Sequence, residues 1–350
     1  VRGLNASLQD RAIEFVTPAL ERAKGLFAKR VRDEGERAKV AARLVADVAG
    51  EHVPAADVVI EAIYEDADAK RALYARLEPQ MKAGAILGTN TSSIVLETLG
   101  TQLQDAGRLV GIHFFNPVPQ MQLVEVVSTA HTRADVQASA LAFVRKIDKL
   151  PLPCRSAPGF VVNRVLFPYL IEAMLAVEEG ISPTLIDRVA TDFGMPMGPI
   201  ELADVVGLDV AVHVGKILAD AFAKPAPQSA QKLVGEKKLG RKSGQGFYTW
   251  QEGKAVKPPL PGTAAPADLM DRLILPMVNE SVAVLREAVV ADADLLDAGI
   301  IFGTGFAPFH GGPLQYARTR GVTECVTRLQ QLAEAYGPRF RPDEGWSTIK

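Results

Sequence analysis

Cysteine is almost missing from this 350-residue chain, which has only Cys154 and Cys325 and neither a Cys-x-x-Cys pair nor a Cys/His cluster. That scarcity excludes a disulfide scaffold and a thiolate zinc site, and it suits a reducing compartment. A charge of one sign is missing too, because 39 Lys and Arg face 41 Asp and Glu for a net charge of -2. Without a long-range field, a binder of nucleic acid or of an anionic membrane is not expected. No apolar run reaches the ~18 residues that would cross a bilayer, and no charged-then-apolar leader opens the chain. With 48% hydrophobic and 23% charged residues, the composition is globular and the length allows two or three domains. The first residue is Val1 rather than Met, so a fragment of a longer chain is expected.

Short β-type runs alternate with longer helical ones in the first 150 or so residues. Residues 5–10 (NASLQD) read as a strand ending in an acid, followed by helical spacing over 11–34 with basic residues on the opposite face. Residues 57–62 (DVVIEA) and 85–90 (AILGTN) are continuous apolar runs, separated by a helical stretch to about residue 80. Continuous rather than alternating apolarity predicts strands buried on both faces, as in a parallel, doubly wound α/β sheet. Runs at 109–113 and 121–127 flank the turn formers Asn116, Pro117 and Pro119.

Beyond residue 158 the texture becomes helical. Residues 160–179 are apolar nearly all round and predict a buried helix with a kink or break at Pro168. A stretch rich in Pro, Ala and Lys, 254–267, reads as a linker to a second helical block. That block repeats the first: PYLIE at 168–172 returns as PMVNE at 276–280, Phe193-Gly194 as Phe302-Gly303, and Gly198-Pro199 as Gly312-Pro313. A period near 108 residues is too long for a solenoid, so a duplicated helical domain is expected, although two generic helix pairs could match by coincidence. Two such domains would reproduce a homodimer interface within one chain.

Asp10, at a strand end within a βαβ pattern, suits the acid that bonds an adenosine ribose, and strand-end Asp also serves turns. The Gly-rich phosphate turn of that fold lies ~20 residues before the acid, which places it upstream of Val1. Glycines at 240–246 and 303–305 read as turns instead. If the connection around Pro119 is a hairpin, residue 113 pairs with 125, because the two numbers sum to twice 119. His113 and Glu125 then become cross-strand neighbours ~5 Å apart at Cβ, a general base with its orienting carboxylate; an ordinary strand His satisfied by a nearby acid fits as well. Ser92 and Ser93, after the 85–90 run, and Asn163 in PGFVVNR (158–164) can donate hydrogen bonds to a substrate oxygen. The plainer roles are N-capping, expected of at least one of the two serines, and a polar residue near a helix start for Asn163. His52, His131, His213 and His310 show no ligand spacing and suit surface or loop roles, so no metal is expected.

The runs GIHFFNPV (111–118), LVEVV (123–127), NTSS (90–93), PGFVVNR (158–164) and GRKSGQGFY (240–248) closely resemble the L-3-hydroxyacyl-CoA dehydrogenase family of fatty-acid β-oxidation. The resemblance covers essentially the whole chain, and the second helical block is similar to multifunctional members in which an enoyl-CoA hydratase domain precedes the dehydrogenase. It implies a Rossmann-type domain at 1–156 lacking its first strand and Gly-rich turn, then tandem, duplicated all-α domains at 157–255 and 256–350. It implies NAD as cofactor, an acyl-CoA substrate, His113 as base, Glu125 as its partner, and Ser92 and Asn163 at the substrate C3 oxygen. Asp10, Ala62, Glu65, Lys70, Asn90, Ser92, Asn116 and Lys242 fall to the cofactor surroundings, and Lys24 and Lys29 to the coenzyme A region. Such a protein would sit in the cytoplasm of a bacterial cell rather than in a peroxisome, with a thiolase subunit as partner. Two other readings remain at this point: another NAD-dependent 3-hydroxy acid dehydrogenase, or a non-catalytic acyl-CoA-binding or structural protein on the same scaffold.

Overall fold

A computed structural model describes residues 2–222 and 225–349, and Val1, on which the expectation of a fragment rested, lies outside the described residues. A five-stranded sheet of order β3-β4-β5-β6-β7 forms the centre of the first region, from β3 (Val58–Glu61), β4 (Ile86–Thr89), β5 (Leu109–Phe114), β6 (Leu123–Ser128) and β7 (Leu150–Arg155). β3, β4 and β5 are parallel, β5 and β6 antiparallel, and β6 and β7 parallel. The sheet is therefore mixed, because the short connection at 115–122 permits only an antiparallel return while helices span the parallel joins.

Of the two continuous apolar runs, β4 is buried on both faces as expected, whereas β3, at the sheet's edge, is only half-buried at Val58, Val59 and Ile60; β5 and β6 are buried as well. One face, with Val110, Ile112, Val124 and Val126, packs on α5 (Ala134–Lys146) through Val136, Ala140 and Val144. The other carries Leu109, Leu123, Val127 and Leu152 and packs on the helical region. His113 and Glu125 share that second face by the two-residue alternation of a strand. Gly111 lies on it too, and a Cβ there would stand 2.7 Å from Cβ of Val127, so only glycine lets the two strands approach in this register.

A separate parallel pair, β1 (Ala6–Leu8) and β2 (Leu44–Ala46), forms its own two-stranded sheet. The helix expected at 11–34 is α1 (Ile13–Arg30), which ends four residues early; a second helix, α2 (Glu34–Ala42), follows because Asp33 caps a new start by accepting from the Glu36 N–H at 2.7 Å. Val16 is the only buried residue of α1, α2 buries none, and Ile13, Phe15 and Leu26 are exposed.

α6 (Val162–Glu178) and α11 (Leu269–Arg286) are the paired central helices of the remainder, each with an internal proline, Pro168 and Pro276. α7 (Pro183–Phe193), α8 (Pro199–Val206), α9 (Leu208–Phe222) and α10 (Gln228–Gly235) follow α6, and α12 (Ala293–Thr304), α13 (Pro313–Arg320) and α14 (Val322–Tyr336) follow α11, with α7 packing mainly on α11 and α12 mainly on α6. Arg164 bonds Glu280 at 2.7 Å and Arg272 bonds Glu172 at 2.7 Å, each member 108 residues from its counterpart. Asp187 accepts from the Ile200 N–H at the start of α8, and Asp297 from the Leu314 N–H at the start of α13. The proposed match of Gly194 with Gly303 is off by two residues: Gly303 lies inside α12, and the left-handed cap equivalent to Gly194 is Gly305. The expected linker also begins later, since Lys254–Val256 is β9, paired with β8 (Thr249–Gln251) in a hairpin. Among the described residues no helix is long and apolar enough to cross a membrane.

Candidate active site

The register of β5 and β6 sets His113 opposite Glu125, and His113 Nδ1 lies 2.6 Å from Glu125 Oε2. Both residues are buried, Glu125 completely. Its other oxygen, Oε1, accepts the N–H groups of Val161 at 3.0 Å and Val162 at 2.9 Å. Those are donors at the start of α6 with no partner within the helix, so the carboxylate satisfies them and fixes the helix start against β6. Phe115 and Phe160 flank the imidazole at ring distances of 4.6 and 5.6 Å. Phe160 holds a left-handed backbone, φ 51°, after Gly159 at φ 71°, which turns the chain sharply into α6. With Nδ1 engaged by the carboxylate, Nε2 is the nitrogen left to face a substrate. The thiol of Cys154, fully buried on the neighbouring β7, is pushed well up by burial and by the Glu125 charge, so it stays protonated and inert.

Asn163 joins this cluster from the first turn of α6 by donating Nδ2 to the Ser92 carbonyl at 3.1 Å. Asn90 accepts the Phe114 N–H at 2.8 Å, tying the end of β4 to the residue after His113. Neither Ser92 nor Ser93 caps a helix, contrary to expectation. α4 (Leu96–Gly100) starts later, its Leu96 N–H taken by Ser156 Oγ, and both serines donate to Glu65 instead.

Glu65 Oε1 collects five hydrogen bonds from Thr91, Ser92 and Ser93, at 2.6 to 3.3 Å. Burial alone would raise its pKa, but those donors and the Lys70 charge hold it below the usual carboxylate value. Lys70 is fully buried, its ammonium 2.7 Å from Glu61 Oε1 and 3.5 Å from Glu65 Oε2. Glu61, not singled out in the sequence, also accepts from Tyr74, Thr89 and the Ile63 N–H at 2.7 to 2.8 Å. Its sequence signal was an acid closing the apolar run VVIE at a strand's carboxyl end. Ala62 and Asn116 are exposed in loops at the same ends of β3 and β5.

The other expected site residues stand apart from this cluster. Asp10 is exposed, its carboxylate accepting the Arg11 N–H. Lys24 pairs with Glu21 on α1 and Lys29 is exposed on the same helix. That helix reaches the β5–β6 connection through Arg30, which donates to the Pro119 carbonyl at 2.9 Å. Lys242 pairs with Asp209 at the start of α9. His310, expected in a surface or loop role, stacks on Phe193 at 4.6 Å, between the two helical blocks.

A buried imidazole–carboxylate pair on the inner strands β5 and β6 of a dinucleotide-type sheet faces the start of α6, an arrangement with the chemistry of a general base for the oxidation of an alcohol. Residues 1–157 match the NAD-binding domain of 3-hydroxyacyl-CoA dehydrogenase and residues 159–250 its C-terminal domain, and the chain belongs to that family. It is 37% identical over 304 residues to a fatty acid oxidation complex subunit alpha of Vibrio cholerae, covering 83% of this chain and 43% of that one. Among solved structures it is similar to 3-hydroxybutyryl-CoA dehydrogenase from Escherichia coli K12, with TM-score 0.86, 27% identity and coverage of 99% and 93% of the two chains. The dehydrogenase part of multifunctional enzyme 1 from C. elegans aligns with TM-score 0.69 and 28% identity, covering 100% of this chain and 84% of that one. The chain spans less than half the length of the oxidation-complex subunit that it matches.

Proposed function

We propose that this chain oxidises L-3-hydroxyacyl-CoA to 3-ketoacyl-CoA with NAD, as the dehydrogenase part of a β-oxidation enzyme. The observation that carries this reading is the His113–Glu125 pair, closed by two helix N–H groups on the carboxylate. The nicotinamide end of NAD fits the residues after β3 and β4: Glu65 spends Oε1 on the 91–93 loop, and its Oε2, with Lys70 at 3.5 Å, remains for a carboxamide donor. Asn90, Ser92, Asn116, Ala62 and Lys70 line that end, with Asp10 and Lys242 assigned to the rest of the cofactor and Lys24 and Lys29 to the coenzyme A region.

NAD supplies the hydride acceptor for C3. His113 takes the 3-hydroxyl proton at Nε2, and Glu125 stabilises the imidazolium that forms. Ser92 and the Asn163 amide hold the oxygen so that proton and hydride leave in one geometry.

The dinucleotide unit, taken as 1–156, is proposed to lack its opening strand and Gly-rich turn; the separation of β1–β2 from the five-stranded sheet supports this. The blocks 157–255 and 256–350 are proposed as copies of one helical domain, supported by the reciprocal Arg164–Glu280 and Arg272–Glu172 pairs. A hydratase domain on the same polypeptide, a thiolase partner and a cytoplasmic location complete the reading. NADH oxidation with acetoacetyl-CoA, compared with free acetoacetate, tests it at saturating NADH: turnover of the thioester alone supports the reading, and turnover of the free acid alone overturns it. Calorimetry should find weak NADH binding by this chain, and tight binding would refute the missing-turn proposal.

A further inference from the structure

We propose that the cavity of about 360 Å³ between α6, α9 and α10 receives the alkyl tail of the acyl-CoA, which makes this a site for medium and long chains. The proposal rests on the dehydrogenase reading above and names the substrate class of that same site. Its floor on α6 is Phe167, Leu170 and Met174, which follow Asn163 at i+4, i+7 and i+11 and so continue the helix face that carries this active-site amide. Helical rise puts Met174 about 16 Å beyond Asn163, a distance a four-carbon chain cannot cover and a long one can. The opposite wall is the small-residue side of α9, Ala211, Gly215 and Ala219.

α9 also reaches back to the catalytic end. A Cβ on Gly159 would lie 2.8 Å from Leu218 Cδ2, and Gly159 precedes the Phe160 ring that flanks His113. The cavity thus lies along the helix that begins at the dyad. Its polar lining residues, Lys216, Asp220 and Gln231, are exposed and belong to its mouth, while the part along α6 is apolar. Gly215 sets the width: a Cβ there would already stand 3.3 Å from the Phe167 ring.

Calorimetric titration of the chain with butyryl-, octanoyl-, dodecanoyl- and hexadecanoyl-CoA, below micelle-forming concentrations, tests the proposal without a cofactor. Affinity should rise by about tenfold for each added pair of methylenes until the cavity is full. Gly215→Leu should flatten the series, bringing dodecanoyl-CoA close to butyryl-CoA while butyryl-CoA binding stays unchanged. Ala211→Leu, which narrows the far end, should affect hexadecanoyl-CoA first, and unchanged butyryl-CoA binding in either variant certifies folding. A flat series in the unsubstituted chain overturns the proposal, as does a Gly215→Leu variant that weakens free coenzyme A equally, which would make the cavity a headgroup site. Failure of every thioester to bind, butyryl-CoA included, would instead sink the dehydrogenase reading itself.

Discussion

The Arg164 guanidinium meets Glu280 at 2.7 Å across 116 residues of chain, and 108 residues further along Arg272 returns the contact to Glu172. Such an exchange, in which each partner's counterpart contacts the other's, is what a two-fold interface produces, and it supports the proposed duplication of the helical domain. All four side chains are buried, so their charges must be matched.

Removing one partner should therefore cost much more than removing both. Glu280→Ala is expected to destabilise the fold by about 3 kcal/mol, because Arg164 is left buried with only the half-exposed Glu287. Arg164→Met combined with Glu280→Leu should recover most of that loss. Urea unfolding of the single and double variants measures both, and additive losses would mean that the pair is not coupled.

His113→Gln should lower kcat by about 10²- to 10⁴-fold while leaving acyl-CoA affinity unchanged, since the ring acts on a proton and does not anchor the thioester. Steady-state rates with matched calorimetry separate the two effects. Equal loss of binding and rate would show that His113 serves mainly to shape the site.

Much of this was legible in the sequence because it is governed by local periodicity. The pairing of 113 with 125 followed from strand alternation about Pro119, and the helix over 160–179 from continuous apolarity. What escaped was set by tertiary contact. β2 is too short to show a period, β7 carries Pro151 and Pro153, and the amphipathic face of α5 is decided by what packs on it. Glu61 looked like a strand-end acid until Lys70, Tyr74 and Thr89 converged on it from α3 (Ala67–Leu77) and β4. The serines of 91–93 had capping chemistry, but Glu65, reaching in from the loop after β3, took their donors. Lys242 carried a family motif, whereas its ammonium lies on Asp209.

Acidification should stabilise the second helical block over a defined window. Burial raises the Asp297 carboxyl from 3.8 to about 6, only partly offset by the Leu314 and Gln315 N–H groups. Between those values the native state binds more protons than the unfolded one, so stability rises as pH falls from about 6 toward 3.8. The gain is bounded at about 3 kcal/mol, and Glu65, whose pKa is lowered, works against it below about pH 4.5. The difference in melting temperature between the unsubstituted chain and Asp297→Asn should grow from pH 7 to pH 5 in favour of the former. A constant difference would show that Asp297 ionises normally.

Glu125→Gln separates the orienting role of the carboxylate from its structural one. The amide keeps one oxygen for the Val161 and Val162 N–H groups, so the turn into α6 survives. Its NH2 then faces His113 Nδ1, which must accept, and the ring proton moves to Nε2, the position where a base needs a lone pair. Turnover should fall by about 10²- to 10⁴-fold with little change in melting temperature. Glu125→Ala leaves both N–H groups buried and unpaired and should add a stability loss of about 2 kcal/mol. If Glu125→Gln kept full turnover, the carboxylate would have no part in charging the base, and its burial would be explained by the helix start alone.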